Sequence, residues 1–227
     1  MNTRRPPRKR LTISVLVDSD SWILPYAARL VQGWRRAGHR IRLCRTAYQI
    51  RRGELAFFLG CVRIVPPNVL RRSRHNLVVH ESALPRGRGF APVVWQVLQG
   101  TRRIPIVLFE AVKQADAGPI YLRDELVLEG HELMNEIRHL QGRMTATLCR
   151  HFVQQYPKVM GTPQTGRASW FRRRWPKDSR LHIEKTLHEQ FSLLRTVDNE
   201  RYPAYFDHAG HRYFVRIEKA RRNGSSE

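Results

Sequence analysis

Leu11-Thr12-Ile13-Ser14-Val15-Leu16-Val17, followed by Asp18-Ser19-Asp20-Ser21, is the stretch on which the fold turns. Its aliphatic and β-branched residues, closed by a polar cluster, read as a buried strand. The polar cluster is placed to cap a helix. From Trp22 to Arg36, residues Ile23, Ala27, Leu30, Val31 and Trp34 recur at helical spacing, and Gly38 ends the run before a second strand, Ile41 to Cys44. A strand, a helix and a strand in this order form a β-α-β unit, whose two strands run parallel.

The alternation continues along the chain. Leu55 to Leu59 is a strand ending in Gly60-Cys61, Pro66-Pro67 starts a short helix, and Leu77 to Val79 is a strand. Ala91 to Gln99 reads as helix, Ile104 to Phe109 and Ile120 to Leu128 as strands, and His131 to Tyr156 as a long helix. The predicted class is α/β, a mostly parallel sheet with helices on both faces. The last sixty or so residues are Arg-rich and aromatic, with a helix expected near Ile183 to Arg195 and short strands near Ala204 and Tyr213. The expected division is a catalytic domain over residues 1–160, whose first ten residues are a basic tail, and a small C-terminal region over 161–227. No internal repeat is visible.

Composition sets the outer bounds. A chain of 227 residues with 41% apolar content can bury the core of one main domain. No apolar run approaches the roughly 18 to 20 residues that cross a bilayer, and Arg4-Arg5-Pro6-Pro7-Arg8-Lys9-Arg10 has no apolar stretch behind it before a cleavage site. The expected setting is cytoplasmic, without a membrane partner. Cys44, Cys61 and Cys149 are odd in number and lack CxxC spacing, so they read as reduced, buried thiols, and no metal site is expected. A formal charge of +22 favours anionic partners. No zinc-finger spacing, ribonucleoprotein motif or basic-region heptad accompanies it, so most of it reads as solvated surface, with a basic cleft for a phosphate-bearing substrate.

Two places concentrate the chemistry. His80 ends the strand that begins at Leu77 and opens a loop rich in Gly, Pro and Arg, where open α/β sheets place ligands. A histidine there can take a proton from an amine nucleophile, and a carboxylate can hold its orientation; Asp116, in Val112-Lys113-Gln114-Ala115-Asp116-Ala117-Gly118, is the candidate. Taken alone, a histidine at a strand end is more often a hydrogen-bonded structural residue, and an aspartate before Ala-Gly more often a turn former.

The ordered set His80-Glu81-Ser82-Ala83-Leu84-Pro85, Arg88-Gly89, Ala91-Pro92, Trp95, Gly100 and Asp116-Ala117-Gly118 resembles the His-x-Ser-x-Leu-Pro, Arg-Gly, x-Pro, Asp-x-Gly motif of the 10-formyltetrahydrofolate-dependent formyltransferases. That family includes methionyl-tRNA formyltransferases, glycinamide ribonucleotide transformylases and sugar N-formyltransferases. Phe171-Arg172-Arg173-Arg174-Trp175-Pro176-Lys177-Asp178-Ser179, Leu194 to Asp198 and Tyr202 to Phe206 are similar to a carboxyl-terminal signature of the same family. The resemblance implies a Rossmann-like formyltransferase fold with a small C-terminal appendage, and 10-formyltetrahydrofolate as co-substrate. It also implies His80 as base with Asp116 beside it.

Leu59, Gly60, Cys61 and Ile64 fall where the family builds its pterin pocket, with Leu84, Pro85 and Gly89 near the folate. Ser82, Arg86 and Arg88 are the expected acceptor contacts. The chain departs from the pattern two residues before His80, where the family has an asparagine to orient the formyl group and this chain has Val78. Asn76 lies about 13 Å from His80 along a regular strand, so a backbone N–H, a water or Ser82 is expected to supply the missing donor. Only about sixty residues follow the long helix, which suggests a small acceptor, an amino sugar linked to a nucleotide. The alternatives are a methionyl-tRNA formyltransferase-like enzyme acting on tRNA, or a non-catalytic basic relative that binds a polyanion. Tyr202 to Phe214 either packs on the catalytic domain or forms a homodimer surface.

Overall fold

In the computed structural model, which describes residues 10–220, ten strands and five helices follow one another along the chain. The strands are β1 (Thr12–Leu16), β2 (Arg40–Cys44), β3 (Gly53–Phe58), β4 (Ser73–His80), β5 (Arg88–Gly89), β6 (Arg103–Glu110), β7 (Ile120–Val127), β8 (Trp170–Phe171), β9 (Ala204–His208) and β10 (His211–Val215). The helices are α1 (Leu24–Arg36), α2 (Pro67–Leu70), α3 (Pro92–Leu98), α4 (Met134–Gln155) and α5 (Phe191–Leu194). The central sheet has the order β2-β1-β3-β4-β6-β7. Strands β1 to β4 pair in parallel, as the β-α-β reading requires.

One strand of the sheet, β6, does not follow that rule. β6 runs antiparallel to β4, and β7 antiparallel to β6. β6 and β7 are the arms of one hairpin, and strands joined by so short a connection can only run antiparallel. α3 covers this edge of the sheet, packing Val93 and Val97 on Ile104, Leu126 and Ile137.

Alternation along the strands serves both faces. Ile13, Val15, Leu55, Phe57 and Leu77 meet Ala27, Leu30, Val31 and Trp34 of α1 and Leu148, Cys149 and Phe152 of α4 in one core. Leu16, Ala56 and Phe58 point to the opposite face, where Val69 of α2 and Ile50 cover them.

Three local expectations are corrected. The polar cluster after β1 does not cap α1, whose N-cap position is Ile23 with no side-chain hydrogen bond and a proline in the first turn. Asp18 instead accepts from the amides of Val62 and Arg63, both at 3.0 Å, so the loop after β1 is spent on holding the loop after β3. The helix expected over 183–195 shrinks to the four residues of α5. Gln190 is the reason: its amide accepts from the His182 N–H and donates to the carbonyls of His182, Lys185 and Thr186, satisfying the backbone in turns rather than in a helix. Cys44 and Cys149 are buried free thiols, whereas Cys61 is only half-buried. Arg4 to Lys9 and Arg221-Arg222, from the basic runs, lie outside the described residues.

A buried ion pair attaches the C-terminal region to the start of α4. Arg195 donates through Nε to the Glu132 carbonyl at 2.9 Å and through Nη2 to Glu132 Oε2 at 2.7 Å. The Glu132 carboxylate also accepts from the amides of Glu129 and Gly130. Removing one partner of a buried pair leaves the other charge stranded. Arg195→Met will therefore lower unfolding free energy by about 3 kcal/mol, read from chemical denaturation; a loss below about 1 kcal/mol would show that the pair is solvent-screened.

Candidate active site

His80 is the last residue of β4 and is buried at 7% exposure. Its Nε2 lies 2.8 Å from the carbonyl oxygen of Gly87. A carbonyl only accepts, so Nε2 carries the proton, and in the neutral ring the basic lone pair sits on Nδ1. Nδ1 has no hydrogen-bond partner among the described residues.

Asp116 is held on the same loop from the other side. It lies in the β6–β7 connection in the left-handed region (φ 53°), and its Oδ2 accepts from the amide of Gly89 at 2.9 Å. Gly118, which closes the Asp-Ala-Gly triplet, packs so tightly on the Glu110 carbonyl that a Cβ there would overlap it. Thus the two candidate residues, thirty-six positions apart, grip carbonyl 87 and amide 89 of one loop.

The C-terminal region completes this grip. β5 pairs in parallel with β8, with the Arg88 amide on Ser169 O and the Phe90 amide on Phe171 O. Ser169 Oγ accepts from the Gly87 amide at 2.9 Å. Gly89 has φ +99°, and a side chain there would run into the Phe171 carbonyl. Gln164 donates to the carbonyls of Asp116 and Gly118 and accepts from Arg88 at 2.7 Å.

The other expected residues fall into two groups. Leu84 and Pro85 are buried at the root of the loop, Ser82 is 2% exposed, Arg88 is buried, and Arg86 is exposed. Leu59, Gly60, Cys61 and Ile64 lie on the loop after β3, with Leu59 buried and Ile64 83% exposed. Burial pushes the Cys61 thiol up to about 12, so it is no nucleophile.

Asn76 does not reach the site. Its amide donates to the Leu70 carbonyl at 3.0 Å, and Val78 packs among Leu84, Phe109 and Ile120. Ser82 Oγ, by contrast, is buried without a hydrogen-bond partner, and its Cβ lies 2.9 Å from where a side chain on Gly87 would begin. Among the described residues no group of His, Cys, Asp and Glu is placed to hold a metal ion.

One residue next to His80, at a variable position of the motif, was not among the expected site residues. Glu81 is 9% exposed, its Oε1 accepts from Gln141 Nε2 at 2.7 Å, and its backbone carbonyl accepts from Gln96 Nε2. Burial pushes its carboxyl up, against the pull of His80 and of the Gln141 hydrogen bond, and Asp116 raises it further. No sequence pattern signals this, because the burial comes from α3 and α4.

A sequence profile of the family described as Formyl transferase matches residues 25–143, just over half of the chain. The chain belongs to the formyl transferase family, and it is a formyltransferase. Among solved structures it is similar to methionyl-tRNA formyltransferase from Clostridium thermocellum, with 18% identity, TM-score 0.78, 95% of this chain and 96% of that chain covered. HypX from Aquifex aeolicus in complex with tetrahydrofolic acid matches at 16% identity and TM-score 0.71, over 92% of this chain but 38% of the other. A sugar N-formyltransferase from a Shewanella species matches at 12% identity and TM-score 0.66, over 92% of this chain and 99% of that one. These likenesses establish the Rossmann-like formyltransferase fold.

The raised carboxyl of Glu81 has a measurable consequence. The folded protein retains a proton that an unfolded glutamate releases near pH ~4.3, so stability present below that value is lost as pH rises through the folded-state pKa. Glu81→Gln will therefore show a smaller fall in Tm between pH 5 and 8 than the wild type. Parallel Tm profiles for the two proteins would mean that Glu81 ionises as freely as a surface carboxylate.

Proposed function

We propose that this protein transfers a formyl group from 10-formyltetrahydrofolate to a primary amine, with an amino sugar of a nucleotide-linked sugar as the acceptor. The observation that carries the reading is the state of His80: buried at the end of β4, with Nε2 committed to Gly87 O and Nδ1 left as an unpartnered base.

The residues divide the work as follows. The acceptor nitrogen attacks the formyl carbon, and His80 Nδ1 takes the proton that the nitrogen loses as the C–N bond forms. The formyl oxygen becomes an oxyanion, to which Ser82 Oγ donates in place of the absent asparagine amide. As the bond from the formyl carbon to the folate nitrogen breaks, the imidazolium returns its proton to that nitrogen. Asp116 serves by fixing the loop at Gly89 N and by its charge beside the cation. Leu59, Gly60, Cys61 and Ile64, held by Asp18 through the neighbouring amides, form the folate pocket with Leu84, Pro85 and Gly89. Residues 1–160 supply the catalytic unit in this reading, and 161–227 the small region that braces its loop.

Chain length does not separate the two acceptor classes, since this chain spans 96% of a methionyl-tRNA formyltransferase. The preference for a small acceptor rests on a partly open space of about 270 Å³ lined by Arg138, Arg173 and Arg174, which Gln141 links to Glu81. Purified protein with 10-formyltetrahydrofolate and a panel of amino sugar nucleotides should release tetrahydrofolate. Release with charged tRNA alone would replace the acceptor, and no release with either would remove the proposed reaction.

His80→Ala should lower kcat by at least about 100-fold while leaving the protein folded; near-normal turnover would dismiss His80 as the base. Ser82→Ala should cost kcat about 100-fold, the loss typical of one oxyanion donor, and Val78→Asn should restore part of it. A Ser82→Ala enzyme at full rate would move the oxyanion role to another group.

A further inference from the structure

The end of the sheet away from His80 holds a partly open cavity of about 480 Å³, between the C-terminal halves of α1 and α4. Strand register fixes its level. Ile13 pairs with Leu55, so Leu11, which lines the cavity, sits level with Gly53, and Gly53 pairs with Ser73. From Ser73 to His80, β4 covers roughly 23 Å at about 3.3 Å per residue. The cavity is therefore no part of the candidate active site. We propose that it binds a small amphipathic anion, an apolar body carrying a single carboxylate or phosphate group. Nothing in the formyl-transfer chemistry is needed for this.

Its walls suit the apolar body. Leu11, Leu30 and Trp34 are buried members of the main core, and Val153 and Tyr156 pack against that core from the other side of the cavity. Its volume falls within the roughly 300–1,000 Å³ of small-molecule sites, which are mostly apolar with a few placed polar groups.

Gly33 is a second observation. It lies inside α1, where only proline is a poorer helix former than glycine. A Cβ there would meet nothing within 4 Å, and its backbone is not in the left-handed region. Neither packing nor conformation therefore requires a glycine. What the missing side chain does is leave the cavity wall open on the α1 side.

Charge at the rim is one-sided. Arg29 and Arg150 line the cavity, and among the described residues no carboxylate does. Arg150 donates from Nη2 to the Thr147 hydroxyl at 3.0 Å, and Arg29 lies 6.0 Å from the centre of the Tyr26 ring; neither has an ion pair among the described residues. Guanidinium groups match carboxylate and phosphate oxygens in fork geometry, so two of them beside an apolar hollow complement an anion with an apolar body. The chain's own basic segment, Arg4 to Arg10, has the wrong sign for that role.

Calorimetric titration of the full chain, without folate or amine, tests the cavity. The probes are octanoate, phenylacetate and phenyl phosphate, set against acetate and inorganic phosphate as bare anions and octanamide, phenylacetamide and phenol as uncharged counterparts. At least one probe should bind one to one, about 10-fold or more tighter than the bare anions and than its own uncharged counterpart. A carboxylate and a phosphate head are told apart by which probe binds tightest. Gly33→Leu, which fills the cavity from α1, should weaken binding about 10-fold or more while the melting temperature holds or rises. The double variant Arg29→Gln/Arg150→Gln should also weaken it about 10-fold or more, the equivalent of one charge-assisted hydrogen bond. Arg123→Gln/Lys177→Gln, an equal loss of charge at exposed positions on β7 and in the C-terminal region, should change it less than about 2-fold. The proposal is overturned if no probe exceeds the bare anions, or if the uncharged counterparts bind as tightly as the probes. It is equally overturned if Gly33→Leu binds as the wild type does, or if the two double variants weaken binding alike.

Discussion

Two hydrogen bonds to one loop, His80 Nε2 to Gly87 O and Gly89 N to Asp116 Oδ2, are the constraint on which the rest of this site depends. The loop offers a carbonyl to a donor on one side and an amide to an acceptor on the other, so the histidine and the aspartate are fixed by the same three residues. The first bond also decides protonation. With Nε2 tied to a carbonyl, the ring has only one place to accept a proton, and its tautomer is set before any ligand arrives.

Close approach makes that loop possible and explains its glycines. Gly87 abuts Ser82 and the Phe171 ring, Gly89 abuts the Phe171 carbonyl, and Gly118 abuts the Glu110 carbonyl. Each is a position where backbone meets backbone or ring with no room for a Cβ. The motif glycines therefore report packing between segments distant in sequence.

Much of this was legible beforehand. Strand and helix periodicity located the sheet, α1 and α4, because their apolar faces are dictated by burial in a common core. The ordered motif from His80 to Gly118 brought the two candidate side chains to one place. What escaped had physical reasons. The reversal of β7 against β6 follows from a hairpin connection that apolar pattern does not encode. The turns of 183–190 follow from one glutamine amide satisfying its neighbours' backbone. Glu81 is a surface-type residue by composition and becomes buried only when α3 and α4 pack around it.

Gln164 and Ser169 hold Arg88, Gly87, Asp116 and Gly118 from positions roughly fifty to eighty residues downstream. During synthesis the sheet strands leave the ribosome first, and the loop after His80 lacks its bracing until residues 164–171 have emerged. A nascent chain ending before them contains His80 and Asp116, yet has nothing to bond the Gly87 amide or pair with β5. The bracing of the candidate site thus arrives late in translation, as the closing of a clasp, after the strands of the sheet have been made.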